Sequence, residues 1–315
     1  MAFEIPKVSY SGKIKEIQLG EGPKAITVGG EASYPFHLFE GEMPHAPRIA
    51  MEVYDVAPED WPPAAMEPFA GVMDDPVAWA KKCIDEYGAE MICLQLVSID
   101  PNGLDRSVAE ATEVVQKVAE AVDVPLIVWG CGNDEKDAEV LRQVAEVCEG
   151  KSLSIGPVTE DNYKQVGAAA IAYKHTVIAS TPIDINLCKQ LNILLADLGV
   201  PDEKIVVDPT TGGLGYGLEY TYSVMERSRM AALTQQDERL QFPMICNLAK
   251  EVWKVKEVKT PEAEDPKLGD GKKRGVAMEA TTAMSLLLAG ASVLVMRHPE
   301  AIAQVRTALQ DLSSN

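Results

Sequence analysis

The stretch Ile205-Val206-Val207-Asp208-Pro209-Thr210-Thr211-Gly212-Gly213-Leu214-Gly215-Tyr216-Gly217 decides how the chain reads. Its first three residues are apolar and β-branched, the composition of a strand covered on both faces. Asp208 then brings a carboxylate to the strand end. Two threonines follow, and the glycines supply a loop whose backbone can come close to a bound molecule, with a tight turn as the plainer reading. The pattern predicts a buried strand that delivers polar groups to one surface.

The plan recurs along the chain. Mostly apolar runs at 49–53, 91–97, 125–128, 153–155, 176–179, 205–207, 243–245 and 292–296 alternate with amphipathic helical patterns. About eight such runs close a (β/α)8 barrel, and 315 residues suit one such domain. The expectation is a single TIM-barrel domain over 1–315, with 1–46 as an N-terminal hairpin and lead-in and 47–315 as the barrel. The hairpin is read from near-alternation at 13–19, a turn at Glu21-Gly22-Pro23 and a second short run at 25–28. Helices are expected at 108–122, 137–147, 163–172, from Thr181-Pro182-Ile183-Asp184 to Gly199, and at 218–233, 277–288 and 300–312. Asn133, Thr159 and Thr181 read first as helix caps, although caps in a barrel lie on the face where sites are built. Two insertions, 57–76 and 257–274, rise from that same face.

Composition excludes several functions. A formal charge of −19 disfavours nucleic acid and anionic membrane surfaces. No run approaches a membrane span, and the N-terminus lacks a signal peptide's basic start and apolar core, so a cytoplasmic protein is expected. The six cysteines contain no C-x-x-C, so no zinc or iron–sulfur site is expected in this chain. Cys93 and Cys246 read as core residues, and Cys131, between two glycines, as a buried thiol.

The strand ends supply Asp55, Ser98, Asp100, Asn102, Trp129, Cys131, Asn133, Thr159, Thr181, Asp184, Asp208, Thr210, Thr211, Asn247, Arg297 and His298. The four histidines are scattered, which argues against a metal hydrolase. There is no Gly-x-Ser-x-Gly elbow and no lysine within a strand run. The loop 211–217 is neither G-x-G-x-x-G nor a P-loop. The face is thus rich in neutral hydrogen-bonding groups and poor in bases, nucleophiles and metal ligands.

Stretch 205–217, together with Val128-Trp129-Gly130-Cys131-Gly132-Asn133, Pro47-Arg48-Ile49-Ala50-Met51-Glu52-Val53 and Ile92-Cys93-Leu94-Gln95-Leu96-Val97-Ser98, resembles the small subunit of the corrinoid iron–sulfur protein, the delta subunit of the acetyl-CoA decarbonylase/synthase system. The likeness covers essentially the whole chain. It implies a non-catalytic barrel subunit of a heterodimer whose large subunit carries a [4Fe–4S] cluster and a cobalamin-binding domain. The corrinoid would lie against the loop face. Its cobalt would take a methyl group from a methyl-tetrahydrofolate:corrinoid methyltransferase and pass it to acetyl-CoA synthase, in the reductive acetyl-CoA (Wood–Ljungdahl) pathway. By position, the residues expected around the cofactor are Ser98, Asp100, Asn102, Cys131, Gly132, Asn133, Thr159, Asp208, Thr210, Thr211, Gly212 and Gly213. The alternative is a pterin-binding TIM-barrel methyltransferase holding its pterin through Asp100, Asn133 and Asp208.

Overall fold

The computed structural model describes residues 4–313; the first three residues of the N-terminal stretch lie outside it. The eight expected runs form the strands β3 (Arg48–Tyr54), β4 (Met91–Gln95), β5 (Leu126–Trp129), β6 (Ser154–Val158), β7 (Thr176–Ser180), β8 (Ile205–Asp208), β9 (Met244–Asn247) and β10 (Ala291–Met296). They follow a two-stranded antiparallel hairpin of β1 (Ile17–Leu19) and β2 (Ile26–Val28). Every barrel pairing is parallel, and β10 closes the ring by pairing with both β3 and β9. The fold is the expected TIM barrel. Nearly every strand residue is buried, because helices cover the outside and packed side chains fill the inside. At about 1.5–3 kcal/mol for each large apolar side chain buried, this double coverage is the main stabilising term.

The outer helices are α1 (Pro63–Met66), α2 (Pro76–Asp85), α3 (Val108–Ala121), α4 (Asp134–Val147), α5 (Tyr163–Tyr173), α6 (Ile185–Leu198), α7 (Leu218–Thr234), α8 (Ala249–Val252), α9 (Lys256–Lys259), α10 (Gly271–Leu288) and α11 (Pro299–Ser313). Ser107 opens α3 with a reciprocal capping box to Glu110. Asn133 caps α4 as expected, accepting from the Lys136 amide at 3.0 Å. Two expected caps are corrected. Thr159 does not cap α5; its amide donates to Asn162 and its hydroxyl to Asp134. Thr181 does not cap α6; Asp184 does, accepting from the Asn186 and Leu187 amides, and the helix starts one residue later. A carboxylate suits the positive end of a helix better than a hydroxyl.

Both insertions carry more structure than their composition suggests. The first holds α1 and a 3-10 turn over Glu67–Phe69, and buries Trp61 and Phe69. The second holds α9, and α10 begins six residues earlier than expected, at Gly271, with Asp270 as its cap. The hairpin sits over the N-terminal mouth of the barrel. A side chain on Gly20 would meet Pro125 at 2.8 Å, and one on Gly29 would meet Pro243 at 3.0 Å; these prolines lead into β5 and β9. The opposite mouth, where β-to-α loops emerge, is left open.

Candidate functional site at the open mouth of the barrel

The floor of the open mouth is a polar network that the apolar strand runs conceal. Glu52 points inward from β3. It accepts from Arg297 Nε at 2.7 Å and from Gln95 Nε2 at 3.1 Å. Gln95 also donates to Asn247 Oδ1 at 3.0 Å. The Arg297 guanidinium lies 3.5 Å from the Trp61 ring centroid and reaches Tyr54 Oη at 3.3 Å. The pair is fully buried, so Glu52 and Arg297 each depend on the other. Glu279 of α10 fastens the rim. It accepts from the Trp253 indole and from the backbone amides of Arg297 and His298. Burial pushes its carboxyl up to about 7.

Two cavities open above this floor. The larger, about 680 Å³, is walled by Tyr54, Trp61, Leu104 and Trp253, with Lys250 and Arg297 among its polar groups. The smaller, about 290 Å³, lies over Asp208, with Trp129, Ser180, Asn247 and Lys250 around it. Lys250 borders both.

The expected site residues divide between these places. Ser98 is buried, and its amide and hydroxyl both donate to Asp55, so it fixes a loop rather than facing outward. Asp100 lines the larger cavity and folds back on the Asn102 amide at 2.8 Å. Asn102, Gly132 and Asn133 are exposed. Cys131 is half-buried rather than buried, and it lines the larger cavity. Burial together with the nearby Asp137 carboxylate pushes its thiol up to about 12. Asp137 clamps the turn by accepting from the Cys131 and Gly132 amides at 2.8 Å each. Thr159 sits at the edge of the smaller cavity.

Asp208 is the deepest group of the smaller cavity. It accepts from Ser180 Oγ at 2.8 Å and from the Thr210 amide at 3.0 Å. Burial raises its carboxyl to about 6 despite those two donors. Thr210 adopts φ +59° and donates its hydroxyl to the Thr181 carbonyl at 2.8 Å. Thr211 is buried, its hydroxyl toward the Cys246 thiol. Gly213 serves the loop itself: at φ +69°, a side chain there would strike the Gly217 backbone at 2.7 Å. Gly212 is half-buried, 3.2 Å from Ile183 by the same measure. The glycines thus fold the loop on itself. Lys250, Tyr54, Trp61 and Trp253 were not anticipated. The only sequence signal for Lys250 was its place three residues beyond β9.

The chain matches a family model described as the CO dehydrogenase/acetyl-CoA synthase delta subunit over residues 16–307. It belongs to that family. The acetyl-CoA decarbonylase/synthase complex subunit delta of Archaeoglobus fulgidus is 39% identical, with 98% of this chain and 71% of that protein covered. Subunit delta 1 of Methanosarcina thermophila is 36% identical, with 98% and 73% covered. Among solved structures, dihydropteroate synthase of Xanthomonas albilineans with 4-aminobenzoic acid superposes with a TM-score of 0.61 at 13% identity, covering 96% of this chain and 100% of that one. Dihydropteroate synthase of Yersinia pestis with a sulfonamide gives 0.58 at 14% identity, covering 85% and 94%. At such identities these enzymes establish the barrel and nothing about chemistry. For this delta-subunit family member, no three His, Cys, Asp or Glu side chains among the described residues are grouped to hold a metal ion. No helix among them is long and apolar enough to cross a membrane.

Proposed function

We propose that this chain is the small subunit of a heterodimeric corrinoid iron–sulfur methyl carrier, and that its open barrel mouth covers and positions the corrinoid. The observation that carries the reading is the family match over 16–307, joined to a mouth that offers neutral hydrogen-bonding groups at Asn102, Thr159 and Thr210. Relatives are named as subunits of a complex; the partners we propose are the corrinoid-bearing large subunit, the methyl-tetrahydrofolate:corrinoid methyltransferase and acetyl-CoA synthase.

The residues present fit a corrinoid, whose rim is made of neutral amide side chains. Asn102 offers an exposed amide, and Thr159 and Thr210 offer half-buried hydroxyl oxygens. Gly132, at φ +94°, has open space where a side chain would stand. When bound, the cobalt supplies the nucleophile that accepts and releases the methyl group. This chain's part is to bind, orient and exclude water. Cys131 stays a neutral thiol at physiological pH.

A pterin-binding methyltransferase is the second reading. Of its three residues, Asp208 lies in the smaller cavity, Asp100 in the larger, and Asn133 is an exposed helix cap. Only Asp208, with Asn247 beside it, supports it. The deciding experiment incubates the isolated chain anaerobically with methyl-tetrahydrofolate and free Co(I) corrinoid. The carrier reading expects no methylcobalamin above background, and expects a corrinoid- and iron-containing complex when the chain is co-expressed with the large subunit. Turnover by the isolated chain overturns it.

A further inference from the structure

We propose that the larger cavity is a binding site for a small organic anion with an aromatic body, its charged group held by Arg297 and Lys250. The cavity's size, about 680 Å³, falls within the range of small-molecule pockets, roughly 300–1,000 Å³. Its walls are aromatic and apolar through Tyr54, Trp61, Trp253 and Leu104.

Two cations face it without full partners. Arg297 is 2% exposed. Its Nε is taken by Glu52 and its Nη2 by Tyr54, while Nη1 has no acceptor among the described residues. A guanidinium nitrogen that lines a cavity and has no acceptor is a donor available to a ligand. Lys250 is half-buried on α8, and no carboxylate pairs with it among the described residues. Its neighbours differ: Lys254 pairs with Glu251 and Lys259 with Asp60. Glu59, Asp60 and Asp100 also line the cavity, and Asp60 is taken by Lys259, so what favours an anion here is the pair of free donors on Lys250 and Arg297, not the net charge.

The neutral amide side chains of a corrinoid need no unpaired lysine, and a site that takes a small anion in the isolated chain, without corrinoid, goes beyond that proposal. Trp61 and Trp253 line it, which makes tryptophan fluorescence the natural readout.

The test titrates the full chain, without corrinoid, with phenyl phosphate, benzoate and the neutral isostere benzamide. Saturable quenching by either anion is expected, with benzamide at least about tenfold weaker. The phosphate and carboxylate arms show which anion is preferred. Arg297 holds up the barrel floor, so the variant is Lys250→Gln, at a half-exposed position. It should weaken the preferred anion about tenfold while leaving the melting temperature of the free protein unchanged. The proposal is overturned if neither anion saturates, if benzamide binds as well as the anions, or if Lys250→Gln binds them as tightly as the parent. None of these results bears on whether the face covers a corrinoid.

Discussion

Replacing Asp208 by asparagine should make the protein more stable at neutral pH and leave it nearly unchanged in acid. Burial raises the Asp208 carboxyl from its ordinary 3.8 to about 6. The folded state therefore holds a proton over a pH range where the unfolded chain has lost it. By linkage, stability falls as pH rises through that window, from near 4 to just above 6. A shift of about two units corresponds to ~3 kcal/mol at pH 7.5. Asparagine keeps the local bonds. Its Oδ1 can accept from the Thr210 amide, and its Nδ2 can donate to Ser180 Oγ, which accepts as well as donates. The assay is urea unfolding of both proteins at pH 4.0, 5.0, 6.0 and 7.5, with the difference in unfolding free energy plotted against pH. The difference should be near zero at pH 4.0 and grow toward ~3 kcal/mol in favour of Asp208→Asn at pH 7.5. A difference that does not change with pH, or one that grows toward acid, refutes the reasoning. A carboxylate that costs stability at the floor of a cavity has its explanation in what the cavity holds.

Further outcomes follow from the same geometry. Arg297→Met leaves Glu52 buried with only Gln95 beside it and should cost about 3–5 kcal/mol in urea unfolding at pH 7; a loss below about 1 kcal/mol would show that the pair is not a mutual dependence. Gly130→Ala would place a methyl group 2.3 Å from Asp137 Oδ1, breaking the clamp on the Cys131 and Gly132 amides. A loss of about 1–3 kcal/mol is expected, and an unchanged unfolding midpoint would contradict that packing. Cys131, with its thiol held near 12, should react with iodoacetamide at pH 7.5 far more slowly than an unstructured cysteine peptide. Equal rates, with the modified residue identified by mass spectrometry, would contradict the raised value.

The barrel was legible because its strands are apolar on both faces and its helices are not. Runs such as 205–207 and 292–296 can sit only between helices and a packed interior. The strand ends were less legible. β8 and β9 extend past the apolar runs to Asp208 and Asn247, because polar residues can pair in a ladder once the barrel supplies neighbours; β6 runs on through Gly156 and Pro157 to Val158. Glu52 and Gln95 were invisible as a network, since each sits alone in an apolar run and their further partners, Arg297 for Glu52 and Asn247 for Gln95, are more than a hundred and fifty residues distant. Threonine caps were misjudged at 159 and 181 because the Thr159 hydroxyl turns to Asp134 and Asp184 takes the first amides of α6. The glycine loop was read as a surface for close approach; the need for Gly213 came from contact with Gly217, which no local pattern encodes. Lys250 had no strand-run signal; it lines both cavities from the first turn of α8.

The most direct test of the corrinoid-covering role is hydrogen–deuterium exchange of this chain, free and in its anaerobic complex with the corrinoid-bearing large subunit. The proposed face predicts slowed exchange in 97–105, 131–134 and 209–218, with the hairpin at 17–28 unchanged. Slowed exchange confined to the hairpin end, with the open mouth as labile as in the free chain, would contradict it.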